Sequence, residues 1–160
     1  EEVEWDGFDF VCIDFYRDTA NRSSLAAKLR PYLAHGKPVI VSEFGCCTYA
    51  GAEDKGAFGW AIVDWRKNPP ELKGEFVRDE RVQARTLREL YDVFQRENVD
   101  GAFVYSFSAP KYPHSAEPRF DLDMASYAIV KSDAAANLPG ATGLHWEPKE
   151  AFFTVAELFA

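Results

Sequence analysis

The sequence predicts an α/β fold with a parallel sheet, and three observations carry that reading. Runs of aromatic and β-branched residues at 8–16, 39–41 and 101–107 alternate with segments whose apolar residues recur at helical spacing. A helix-bearing segment separates each run from the next, which suits right-handed crossovers between parallel strands. No internal repeat or linker interrupts the 160 residues, so they read as one domain or part of one.

The first strand is FDFVCIDFY, residues 8–16, a breaker-free run too short for a buried helix. Ser23 and Ser24 are placed to cap a helix that carries Leu25, Leu29, Tyr32 and Leu33 on one face, with Pro31 kinking it or splitting off its last turn. Gly36 stops this helix, Lys37 and Pro38 re-extend the chain, and Val39, Ile40 and Val41 form a second strand ending at Ser42-Glu43-Phe44-Gly45. Residues 46–73 mix Gly, Ala, Trp and charge without a period, and read as a long functional loop with room for a short turn of helix.

Residues 76–97 are the clearest helix, with Leu87, Leu90, Tyr91 and Phe94 on one face and Arg81, Arg85, Arg88 and Glu89 away from it; Asn98 ends it. The third strand, 101–107, leads into a long loop rich in Pro, Asp and Ser that runs to Trp146. Pro148 then opens a last helix whose apolar face holds Phe152, Val155, Ala156 and Phe159.

Composition narrows the function classes. Eighteen basic residues against 26 acidic ones give a formal charge of −8, with no Lys/Arg run to neutralise a phosphate backbone, so nucleic acid is not an expected partner. The longest apolar run, 58–63 around Gly59, is far short of the roughly 18 residues that span a bilayer, so no membrane partner is expected. Glu1, Glu2 and Glu4 stand where a secretory signal would place basic and apolar residues. The chain does not begin with Met and reads as processed, trimmed or cut from something longer. Cys12, Cys46 and Cys47 cannot all pair, and the adjacent two are poorly placed for a bridge, which points to a reducing, cytoplasmic setting. No GxGxxG or P-loop is present, so no cofactor is expected.

At KPVIVSEFG, residues 37–45, the sequence resembles the seventh strand of the (β/α)8-barrel glycoside hydrolases of the large retaining clan that includes cellulases and mannanases. The order of the other elements agrees: DFVCIDFY resembles the sixth strand, GAFVYSF the eighth, and WEPKEAFFTVAELF the closing helix. SEFGCCTYAGA and FDLDMASYAIVK are similar to a barrel family labelled "abortive infection protein". The resemblance implies the C-terminal three strand-helix units of a TIM barrel, with Glu43 as catalytic nucleophile and Tyr16 as the tyrosine that touches it. A full barrel takes about 250 residues, so the N-terminal strands and the clan's acid/base residue, a Glu after Asn on the fourth strand, are expected upstream of Glu1. The third strand ends in Phe107 where many members carry Trp.

The residues bear their own readings. A retaining glycosidase needs two carboxyl groups about 5 to 5.5 Å apart, and its nucleophile must stay ionised, which favours a donor such as the Tyr16 hydroxyl beside Glu43. A strand-terminal Glu can equally be an exposed ion-pair member. Strand alternation places Phe10, Cys12, Asp14 and Tyr16 on one side, Val39, Val41 and Glu43 on one side, and Phe103, Tyr105 and Phe107 on one side. Asp14 is then a candidate for a sugar hydroxyl, though an inward Asp is more often satisfied by Arg, Lys or a backbone amide. Tyr105 and Phe107 become cleft residues.

Trp60, Asp64 and Trp65 follow Glu43 in the position of a sugar-stacking platform, and also read as a short packing segment. Asp121-x-Asp123 lacks the rest of an EF-hand loop, so Arg119 is the expected partner of one of them and no metal is expected. His35, His114 and His145 are too scattered for zinc. Cys46 and Cys47 read as small buried hydrophobes.

These observations support hydrolysis of a carbohydrate, a β-linked glucan or mannan. The alternative is a barrel-derived module that binds carbohydrate or protein without turnover. A homo-oligomer that covers its own sheet edges is expected if the chain is complete.

Overall fold

A computed structural model describes residues 3–133 and 146–160 of the chain. In chain order its elements are β1 (Val11–Asp14), α1 (Leu25–Leu33), β2 (Val39–Phe44), two 3₁₀ helices (Ala52–Asp54 and Gly56–Ile62), β3 (Val63–Asp64), β4 (Glu71–Leu72) and α2 (Glu80–Arg96). They continue with β5 (Gly101–Val104), two further 3₁₀ helices (Pro118–Phe120 and Leu122–Ala125), β6 (Val130–Ser132), β7 (Trp146–Pro148) and α3 (Glu150–Leu158). Strands β1, β2 and β5 form a parallel sheet in that order. β3 pairs with β4, and β6 with β7, both antiparallel.

The sheet buries one face against the helices. Val41 and Phe44 of β2 join Phe15, Leu29, Leu87, Leu90 and Phe94 in one cluster, and α3 packs along α2 with Ala151 fully buried. The opposite face is open: Phe10, Cys12, Asp14, Phe103 and Tyr105 are all exposed. A second cluster sits at the C-terminal end of the sheet and is made almost wholly of connecting segments. It contains Cys46, Cys47, Tyr49, Leu72, Met124 and Tyr127.

Several boundaries differ from the sequence reading, each for a local reason. β1 begins at Val11 because residues 5–8 turn and the Lys37 ammonium gathers the carbonyls of Trp5, Asp6 and Phe8. Ser24 stands at the N-cap of α1 without a side-chain cap bond, and the helix continues through Pro31 to Leu33. Gly36 and Asn98, at the two predicted helix stops, have positive φ of 66° and 56°.

α2 starts at Glu80 rather than at 76, since residues 77–79 are bonded backbone to backbone with 48–50. Asp79 caps it, its carboxylate accepting from the amides of Arg81 and Val82. Pro148 closes β7 instead of opening a helix, and in α3 Ala156 is exposed while Ala151 takes the buried place.

The segments 46–73 and 108–133 are more ordered than a loop reading allows. Residues 121–130 are buried without interruption. His145 lies outside the described residues. Among those described, no helix is long and apolar enough to cross a membrane.

Candidate active site

Strand β2 does not keep strict alternation. Ile13 pairs with Val41 and the next residue of β1, Asp14, pairs with Glu43, so Ser42 is an extra residue on β2. Val39 and Val41 therefore face the helices, Phe44 returns to that side, and Glu43 turns to the cavity at the end of the sheet. This corrects the expectation that Val39, Val41 and Glu43 share one side: a one-residue bulge flips the parity. On β1 and β5 the alternation holds, with Cys12 and Asp14, and Phe103 and Tyr105, on the open side.

Glu43 meets Tyr16 there. The Tyr16 hydroxyl donates to Glu43 Oε2 at 3.0 Å. Burial, then the hydrogen bond to Glu43 and its charge, hold the Tyr16 phenol well above its ordinary pKa, so it remains a donor. Asp14 is exposed, and its Oδ1 accepts from the Ser42 hydroxyl at 2.8 Å. The bulge residue thus orients the second carboxylate. Among the described residues no Arg or Lys holds Asp14; its partner is the Ser42 hydroxyl.

The cavity has a volume of about 260 Å³ and is lined by Asp14, Tyr16, Glu43, Trp60, Tyr105 and Tyr127 among others. Trp60 projects from the Gly56–Ile62 helix and is 42% exposed; Tyr105 is 45% exposed. Two open aromatic faces and two carboxylates, with no cation among the described residues of the wall, suit a ligand that has flat apolar faces and hydroxyl rims.

The other residues singled out from sequence lie elsewhere. Asp64 is held by Arg66 through two guanidinium hydrogen bonds and a third from its backbone amide, which keep its carboxyl low, at about 2. Trp65 packs edge-on against Tyr112 with Lys111 over its ring. Phe107 packs against Trp146. None of the three lines the cavity.

Arg119 pairs with Glu71, not with an Asp of its own loop. Asp121 and Asp123 are instead claimed by Arg78, with His114 on Asp121 and the fully buried Lys149 on Asp123. Lys149 lies below its usual pKa because burial outweighs the attraction of Asp123. Cys46 and Cys47 are buried; burial pushes the Cys46 thiol up to about 12 and raises Cys47 as well. Among the described residues no cluster of three or more His, Cys, Asp or Glu could hold a metal ion.

Sequence reasoning missed Tyr127. It stands in the apolar stretch after Asp123, and its one available signal was a tyrosine inside a run otherwise fit for full burial, which calls for a hydroxyl partner.

No family model matches the sequence. No curated protein matches it either. Among solved structures the chain is similar to a GH113 beta-1,4-mannanase determined as a complex, at 14% sequence identity and a TM-score of 0.51. The likeness covers 78% of this chain and 36% of that one. The chain therefore spans about a third of the length of that structure. At this identity the similarity shows the fold alone, a mixed α/β architecture with a parallel sheet.

Proposed function

We propose that this chain is the C-terminal part of a (β/α)8-barrel glycoside hydrolase that cleaves a β-linked mannan or glucan with retention. The observation that carries the reading is the hydrogen bond from Tyr16 to Glu43 at the mouth of an aromatic cavity, at the C-terminal end of a parallel sheet. With Oε2 held by Tyr16, Oε1 of Glu43 is the attacking atom. It bonds to the anomeric carbon as the carbon–oxygen bond to the leaving group breaks, and an acid delivers a proton to the departing oxygen. Water then attacks the same carbon, gives its proton to that residue, and releases Glu43.

The acid/base residue belongs to a strand outside these three. The open sheet face, with Phe103 62% exposed, supports further barrel strands beside β1 and β5. Trp60 and Tyr105 stack on the sugar, and Asp14, fixed by Ser42, binds a hydroxyl.

The test is release of reducing sugar from β-1,4-mannan by the complete native polypeptide. Glu43→Gln should lower the rate at least about a thousandfold, the order expected when an essential nucleophile is removed. A variant that keeps most of the activity would remove Glu43 from this role. Trp fluorescence that responds to the oligosaccharide without any turnover would favour a binding module, since Asp14 is the only other carboxylate among the described residues of this cavity.

A further inference from the structure

We infer that Tyr127 is a positioning residue that locks the tyrosine on the nucleophile and the tryptophan platform into one unit; this rests on the reading of Glu43 and Trp60 given above. Three connections, one after each parallel strand, converge on it. From the β1 end, the Tyr16 ring meets the Tyr127 ring edge to face with centroids 5.5 Å apart. From the β5 end, Tyr105 lies against it at 6.1 Å, and the Ser106 amide donates to the Tyr127 carbonyl.

From the β2 end comes the tightest grip. The Tyr127 hydroxyl donates to the Gly56 carbonyl at 2.6 Å and accepts from the Gly59 amide at 2.8 Å, so it closes both ends of the turn that precedes Trp60. Space around the ring is held open by two glycines. A Cβ on Gly59 would lie 2.9 Å from the Tyr127 oxygen and 2.7 Å from Cys47 Sγ, and one on Gly45 would lie 2.4 Å from the Tyr105 carbonyl oxygen and 3.1 Å from the Tyr127 ring. α2 supports the same node, since Gln83 Nε2 donates to the Tyr127 carbonyl.

The ring and the hydroxyl thus serve different neighbours. The ring backs Tyr16, whose own hydroxyl acts on Glu43. The hydroxyl holds the segment carrying Trp60. Removing the hydroxyl alone should loosen sugar stacking more than chemistry, whereas removing the ring should also let Tyr16 move from Glu43.

The experiment compares Tyr127→Phe and Tyr127→Leu in the complete native polypeptide acting on β-1,4-mannohexaose, with amide exchange at Gly59 followed by NMR. Tyr127→Phe should speed Gly59 exchange about tenfold or more and raise KM about fivefold with a smaller loss of kcat, the scale of losing one neutral hydrogen bond. Tyr127→Leu should add a loss of kcat of about tenfold. Gly59→Ala, which crowds the same hydroxyl while leaving Tyr127 in place, should reproduce the KM effect; should Tyr127→Leu not fold, Gly59 exchange and the KM against kcat split of Tyr127→Phe still decide the inference. Unchanged Gly59 exchange in Tyr127→Phe, or a fall in kcat with KM unmoved, would overturn the inference. A wild-type protein that neither binds nor cleaves the oligosaccharide would sink the glycosidase reading alone, and Gly59 exchange would still decide whether Tyr127 closes that turn.

Discussion

At the scale of single residues, the proposed function rests most heavily on the Tyr16–Glu43 hydrogen bond. Tyr16→Phe removes a donor from a charged acceptor, an interaction of about 1.5–3 kcal/mol, so kcat should fall roughly tenfold to a hundredfold with little change in KM. Equal losses in both constants, measured by steady-state kinetics, would contradict an orienting role. The cysteines offer a check that is independent of activity. Cys12 is exposed while Cys46 and Cys47 are buried with raised pKa values, so in the folded 160-residue chain a thiol reagent at pH 8 should label Cys12 ahead of the other two, and all three after denaturation.

Buried charge gives a third prediction at the same scale. Lys149 has no exposed surface and faces Asp123, which Arg78 also holds at 2.7 Å. Lys149→Met leaves Asp123 with one partner fewer and should cost about 3 kcal/mol in denaturant unfolding, as truncation of one member of a buried ion pair does. A midpoint equal to the wild type's would show that Arg78 alone satisfies that carboxylate.

At the scale of elements, α2 was the most legible. Its period, its apolar face and the stop at Asn98 are all present in the residues, and Leu87, Leu90 and Phe94 are buried as that face requires. Its start was not legible, because residues 77–79 are held by backbone bonds to 48–50, which no local pattern encodes. Asp79 is the true cap, and Asp79→Ala should cost about 1 kcal/mol of stability; a thermal melt unchanged by this substitution would contradict the assignment.

The same division runs through the site. Glu43 and Tyr16 sit at strand ends and their pairing was implied by the resemblance, yet the bulge at Ser42 that aims Glu43 depends on register with β1. The connections after β2 and β5 fold on one another through contacts such as Thr48 to Asp123 and Cys47 to Ala125. Partners so distant in sequence leave no periodic trace, so these segments read as loops, and Tyr127, which gathers them, went unseen. Asp64, Trp65 and Phe107 lie outside the cavity beside Glu43 for the complementary reason: each finds a nearer partner than that cleft.

At the scale of the whole molecule, the sheet has one face covered by helices and one open. Exposed Phe10 and Phe103 on a parallel sheet are the residues that further barrel strands would cover. The 160-residue chain made by itself should therefore elute in gel filtration above its 18.1 kDa mass, and Phe103→Asp should return it toward monomer. A monomeric wild-type chain that leaves a hydrophobic dye dark would contradict the picture of an uncovered face.

The measurement that tests the central claim most directly is a covalent trap. A mannoside carrying fluorine at C2 and a good leaving group slows release of the glycosyl-enzyme, so peptide mass spectrometry of the complete native polypeptide reads which side chain took the sugar. The account predicts one adduct, on the peptide bearing Glu43, that disappears in Glu43→Gln. An adduct on another carboxylate, or hydrolysis of mannan with no adduct at Glu43, would contradict it.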